Sequence, residues 1–264
     1  MRAFACASAI SLALLAAPSR AAAPARVVSL NLCTDELLLL LGEPRQILSV
    51  THLGQSEAET PLWRLARNYR RNDGSLLSVA ALRPDLVLTM GGGGRDRVGL
   101  ARRLGIRIVN LPYPARLADV EAAVATVAGA LGRRESGRRV LAAIAALKRT
   151  APAAAAADTV WLGGGGRSVA PTGLAAEWMR LAGLRQRPLV GDRIGLEQLL
   201  VQPPAILLRS DYRSGQYSGE QRWLGHPLAA RARPGRSLTT DGRLWTCMGP
   251  LMVREVARLR AAVR

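Results

Sequence analysis

Several residue types are scarce in this chain, and each shortage excludes something. Lys148 is the only lysine, and it lies in a helix-like stretch, so no GxxxxGK[ST] phosphate loop is present. There are two histidines, His52 and His226. That is too few for the histidine-rich sites that hold bare zinc or manganese, so no metal site is expected. No GxSxG elbow, HExxH or paired CxxC occurs, so the expectation is not an enzyme. An exported hydrolase using His52 or His226 is the remote alternative. Five Trp, four Tyr and one Phe leave little for stacking on bases. The arginines are scattered rather than striped, so nucleic acid is not expected as a partner despite a formal charge of +18 and a pI of about 11.5.

What is present first is a leader. Arg2, the apolar core "AFACASAISLALLAA" and the small residues of "APSRAAAPA" read as a signal peptide over residues 1–23, with cleavage between Ser19 and Ala25. No later segment has the ~20 apolar residues of a membrane span. The expected product is periplasmic, exported and monomeric. Loss of Arg2 and Arg20 takes the formal charge from +18 to +16. Cys6 leaves with the leader; Cys33 and Cys247 remain, as a disulfide or as two separate buried thiols.

Short apolar runs alternate with helical periods in two similar halves. "RVVSL", "QILSV", "DLVLTM" and "IRIVNLP" read as strands of the first half; "TVWL", "AILLRS" and "RSLTT" as strands of the second. "SLLSVAALRPDLVLTM" is mirrored by "GLEQLLVQPPAILLRS". The expected fold is α/β: two three-layer, Rossmann-like lobes joined by a long rigid helix. The divisions are a lobe over 24–114, an interlobe helical segment over 115–150 with a joint at Gly132 and Gly137, and a lobe over 151–264. A helix of ~16 residues there spans about 24 Å, enough to cross between lobes.

The pentapeptide GGGGR occurs twice, at Gly91–Arg95 and Gly163–Arg167, each time after a strand-like run. Neither copy has dinucleotide spacing: the third glycine of GxGxxG is replaced by Asp96 and by Ser168. Tight turns at the carboxyl edge of a sheet are the expectation, bordering the place where open α/β folds bind ligands.

"RVVSLNLCTDELLLLLG", "SVAALRPDLVLTMGG" and "LARRLGIRIVNLP", in that order, resemble the helical-backbone periplasmic binding proteins that serve ABC importers of vitamin B12 and ferric siderophores. The resemblance implies capture of a metal chelate, cobalamin-like corrinoid or iron-siderophore, in a cleft, and delivery to the permease subunits. Heme is an alternative cargo, with Tyr113 or His52 on its iron. No cofactor of the receptor itself is implied, since cobalt or iron belongs to the cargo. Two-point docking on a permease falls on Glu197 in the second lobe. Its first-lobe counterpart is Leu77, with Asp73 as substitute acid. The cleft residues implied are Asn31, Cys33, Thr34, His52, Arg71, Gly92, Gly93, Arg95, Tyr113, Gly165, Arg167, Tyr212, Trp245 and Cys247. On this resemblance both cysteines approach the cleft, as a bridge if their Cα atoms lie within about 7 Å, or as soft metal ligands. Asp35 reads as a first-turn helix acid. Trp161 and Trp178 read as core.

Overall fold

The computed structural model describes residues 23–91, 94–152, 156–212, 227 and 236–263, with the side chains of residues 94–97 left aside. Gly92, Gly93, the Arg95 side chain and His226 therefore lie outside the described residues, as do residues 1–22 of the expected signal peptide.

Lobe one contains β1 (Val27–Ser29), α1 (Leu32–Leu41), β2 (Ile47–Thr51), α2 (Trp63–Ala66), β3 (Arg70–Asn72), α3 (Leu77–Ala80), β4 (Leu86–Met90), α4 (Gly94–Arg103) and β5 (Arg107–Leu111). Its sheet runs β3-β2-β1-β4-β5, and every pairing is parallel. Successive strand residues point to opposite faces, and both faces are covered. Val27, Leu86 and Leu88 pack under α1, while their neighbours Val28 and Val87 pack on the other side against Val79 of α3 and Ala101 of α4. The near-unbroken leucine run of α1 fits this position, because Leu37, Leu38, Leu39 and Leu41 are all buried.

Lobe two repeats the plan with β6 (Ala157–Leu162), α7 (Leu174–Leu181), β7 (Leu184–Gln186), α8 (Leu196–Val201), β8 (Ile206–Ser210), β9 (Arg236–Thr240), α9 (Leu244–Cys247) and α10 (Met252–Val263). The sheet order is β7-β6-β8-β9, again parallel. Ile206 and Leu208 face α7 and α10; Val160, Leu162 and Leu207 face Leu199 of α8. Two three-layer α/β lobes are the observed architecture.

The connection between them consists of two helices, α5 (Leu117–Ala130) and α6 (Arg134–Arg149), packed on each other. Leu117 and Val120 at the start of α5 belong to the lobe-two core, whereas Val124, Val127 and Leu131 belong to the lobe-one core. In α6, Leu141 packs on lobe one and Leu147 on lobe two. The chain therefore crosses between lobes three times, in an antiparallel hairpin. Gly132, at φ +70°, makes the turn. Gly137 is no joint: it lies inside α6, where a Cβ would stand 2.5 Å from Ala128 Cβ, so it sets the helix–helix approach. Buried Arg260 of α10 ties the hairpin to lobe two, donating to Leu181 O (2.9 Å), Leu147 O (3.0 Å) and Thr150 Oγ1 (2.7 Å).

Candidate functional site

In a parallel sheet all strands end on one edge, and the two edges here meet at a shared gap. A cavity of about 440 Å³ opens there, within the usual range of ligand pockets. Leu30, Asn31, Leu32 and Cys33 follow β1; Thr51, His52, Leu53 and Glu59 end or follow β2; Asp73 and Gly74 follow β3; Tyr113 follows β5. Thr246 of α9 closes it from lobe two.

Beneath the cavity the lobes are joined covalently. Cys33 and Cys247 form a disulfide with their Cα atoms 5.3 Å apart. Two polar contacts run alongside. Tyr212 donates from its hydroxyl to Glu59 Oε2 (2.7 Å), and Arg243 Nη1 donates to Glu57 O (2.9 Å). The Arg243 guanidinium is also paired with Asp241 at 2.7 Å.

Asn31 is the N-cap of α1, its side chain accepting from Cys33 N at 2.9 Å. Asp35 stands in the first turn of α1, as expected, but not as an exposed acid. Asp35 turns inward, fully buried, and accepts from Thr51 N (3.1 Å) and Thr51 Oγ1. Burial raises its pKa to about 7, against the lowering effect of Thr51. Its neighbour Glu36 is also raised to about 7, first by burial and then by the nearby Asp35 and Asp241 charges, while Thr60 donates to it at 2.8 Å. Glu36 stands beside the disulfide, lining with Cys33 and Cys247 a small void of about 20 Å³. On the open wall, Asp73 goes the other way: Ser75, by side chain and backbone, holds its pKa near 2. Its Oδ1 accepts from Ser75 N at 2.8 Å.

The glycine loops prove to have different uses. Gly91, at φ +76°, continues β4, and a Cβ there would fall 1.9 Å from the Tyr113 ring. Its missing side chain is the seat on which Tyr113 lies, 64% exposed, at the cavity mouth. In the second loop Gly165 sits at φ +64°, and its carbonyl accepts from Arg193 Nη2 at 2.7 Å. A valine at Gly165 strains the backbone in addition to filling space, so it is no clean probe of ligand contact.

Asn31, Cys33, His52 and Tyr113 of the expected cleft set line the cavity, and so does Asp73, expected as a docking acid. Cys247 lies under it. Two expectations fail on burial, and a third residue, Tyr212, is half-buried and engaged between the lobes. Thr34 is wholly buried, sharing a 2.7 Å hydrogen bond with Ser29 and donating to Asn31 O. Trp245 is core, its ring tilted at 57° against that of Trp161 with centroids 5.7 Å apart, and it donates to Thr240 Oγ1 (2.8 Å). Tyr212 is an interlobe tie. Arg71 is exposed on the edge strand β3 and does not line the cavity. Arg167 is exposed at the lobe-two edge, its backbone bridged to that of Arg193. Glu197 is exposed on α8, and Leu77 is 72% exposed on α3. Sequence reasoning missed Glu59, Glu36 and Thr246; the acid-rich loop "QSEAET" after β2 was the available signal for the first. Trp178 is core, as expected, donating to Met248 O at 2.9 Å.

No helix of the described residues is long and apolar enough to cross a membrane, and no group of three or more metal-ligating side chains occurs among them. No protein-family model matches the chain, and no curated protein matches it. Solved structures do. A periplasmic heme-binding protein from Pseudomonas aeruginosa superposes with a TM-score of 0.63 at 22% identity, over 90% of this chain and 92% of the other. The heme-binding protein RhuT from Roseiflexus sp. gives 0.64 at 22%, over 90% and 97%. The vitamin B12 binding protein BtuF of Vibrio cholerae gives 0.62 at 15%, over 90% and 96%. The chain has the two-lobed fold of these periplasmic binding proteins.

Proposed function

We propose that the protein is a periplasmic solute receptor of an ABC importer, holding a metal chelate, corrinoid or iron-siderophore, between its lobes and handing it to the permease. The cavity between the two strand edges carries the reading. It is concave, part apolar and part polar, and lies where this architecture leaves room for a ligand. Capture without chemistry is supported by the state of its reactive groups. Thr51 is committed to Asp35, and Cys33 to Cys247. Among the residues of the expected cleft set, Asn31, Cys33, His52 and Tyr113 carry the binding role; Glu197 on lobe two and Asp73 on lobe one are the docking acids.

A thermal-shift panel of cobalamin, cobinamide, heme and ferric siderophores tests this. A micromolar binder at ~100-fold excess over its Kd stabilises by about 2.7 kcal/mol. No shift with any member of the panel overturns the reading. Heme is the second reading, favoured by one observation: the Tyr113 phenol and the His52 imidazole line the same cavity, and either side chain ligates iron. Titration with heme is then expected to shift the Soret band, and Tyr113→Phe or His52→Ala to change that spectrum.

A further inference from the structure

The bridge between the lobes is part of the cavity wall. Cys33 lines the cavity and also the small void that it shares with Cys247. Cys33 is half-buried, whereas Cys247 is 6% exposed, so the bridge is approached from the gap through Cys33. A disulfide serving only as a staple has no need to face a ligand space. This one joins the two surfaces that a ligand touches. Asn31, His52, Glu59 and Tyr113 stand on the lobe-one wall, and Thr246, next to Cys247 in α9, closes the cavity from lobe two. The other ties across the gap are non-covalent: the Tyr212 hydroxyl on Glu59 (2.7 Å) and Arg243 on Glu57 O (2.9 Å). Bonds of that kind exchange with water at little net cost.

We propose that the Cys33–Cys247 bridge is a redox site coupled to the cargo site, a role that rests on the receptor reading above. The oxidised bridge holds the cavity in its binding shape, reduction to two thiols loosens that hold, and bound cargo shields the bridge. The reductant is a dithiol. One of its thiolates attacks the Cys33 sulfur from the gap; a mixed disulfide forms, the Cys33–Cys247 bond breaks, and the electron pair leaves on Cys247. The second thiolate of the dithiol then displaces Cys33. The dithiol ends as its own disulfide, and its two protons end on Cys33 and Cys247. Affinity falls on reduction because the helical hairpin and the non-covalent ties alone then position the two walls. The ligand must meet an ordering cost that the bridge had already met. The coupling is reciprocal. A ligand that prefers the oxidised form about tenfold makes that form about tenfold harder to reduce, roughly 30 mV in midpoint potential. The rate changes in the same direction, since a ligand in the cavity covers Cys33.

The test uses the full mature chain and three probes: cobinamide, hemin and ferrichrome. Each is titrated by calorimetry into the oxidised protein, into protein reduced with dithiothreitol and freed of the reductant under argon, and into Cys33→Ser with Cys247→Ser. The probe that binds should bind the oxidised form about fivefold tighter, or more, than the reduced and serine forms. A second measurement needs only the folded, oxidised protein. Dithiothreitol opens the bridge, the reaction is quenched with acid, and new thiols are counted by alkylation and mass spectrometry. Saturating probe should slow opening about fivefold or more. Sucrose, which stabilises the fold without filling the cavity, should leave the rate nearly unchanged. Equal affinity for the two redox states overturns the coupling and leaves the receptor reading standing. An opening rate that the probe does not change does the same. Slowing by sucrose to the same extent as by the probe also overturns it, since the bridge then opens only through unfolding. Binding of none of the three probes to the oxidised protein overturns both.

Discussion

At the cleft, lobe one presents Glu59, Asp73 and His52, with the buried acids Asp35 and Glu36 behind them. Lobe two presents Thr246 and carries the Gly163–Arg167 turn, bridged to Arg193, at its strand edge, with the Trp161–Trp245 pair behind. The layers beneath are near copies: a parallel sheet, helices on both faces, and a helix of matching position before the strand beside the first (α3 before β4, α8 before β8). Leu77 and Glu197 even stand at the same distance from Leu86 and Ile206, which open those strands. The scaffold repeats while the side chains at its strand ends do not. Packing constrains the inner residues of each sheet, and nothing in the layer architecture constrains what projects into the gap.

The largest effect should come from removing what keeps the lobes from behaving separately. The disulfide closes a loop with a sequence separation of 214 residues, worth about 5 kcal/mol by chain entropy. Cys33→Ser with Cys247→Ser, or reduction of the wild type, should lower the melting temperature by roughly 10–20 °C and split one calorimetric transition into two. A single unchanged transition would mean that the helical hairpin alone couples the lobes.

Next is a pH dependence confined to lobe one. The buried Asp35 and Glu36 have folded pKa values raised to about 7, so the folded state holds their protons more tightly than the unfolded chain does. Their stabilisation is complete below about pH 4 and is lost as pH rises through 7. Glu36→Gln, which leaves an acceptor for Thr60, should stabilise the protein at pH 8 by up to about 3 kcal/mol and do little at pH 4. Melting at both values decides it, and a variant that melts at the wild-type temperature at pH 8 would show Glu36 to be no burden there.

Tyr212→Phe removes the cross-lobe bond to Glu59 and should cost about 1–2 kcal/mol, read from urea unfolding. The smallest effect on stability, within about 0.5 kcal/mol, belongs to Leu77→Glu and Glu197→Leu, both exposed. Their difference should appear instead in transport by a reconstituted permease. Glu197→Leu should depress stimulation of the permease, while Leu77→Glu, which makes the lobes alike at this point, should not. Equal effects would erase the asymmetry between the lobes as a functional one.

How much of this was readable beforehand differs by layer. The alternation of short apolar runs with helical periods gave the parallel sheets, because a strand covered on both faces has no polar positions to spare: Leu86, Val87 and Leu88 are all buried. The reach of the helical segment was legible in Leu117, Val124 and Leu131, but not its division between two cores, since periodicity says which face is buried and not against what. At the site, Asn31, Cys33, His52 and Tyr113 followed from lying just past strand ends. The first-turn place of Asp35 was legible too, but not its burial against Gly54, where a Cβ would meet Asp35 Oδ2 at 2.5 Å. Trp245 looked like a ligand platform and is core, because its partner Trp161 is remote in sequence. Glu59 was not singled out among the acids of "QSEAET". Each of these gaps concerns a contact between segments far apart in the chain.

The triple passage between lobes has a consequence for timing. A chain emerging amino end first completes all the strands of lobe one by Leu111, yet Val124, Val127 and Leu131, which roof that lobe's core, arrive only after a detour to a partner that has not yet been made. Cys33 waits longer still, since Cys247 is among the last segments to appear. The first half can take its roof once Leu131 has appeared, whereas Cys33 stays without its disulfide partner until the second half is nearly finished. Any partner that guards this protein during its birth should recognise that interval rather than the finished molecule.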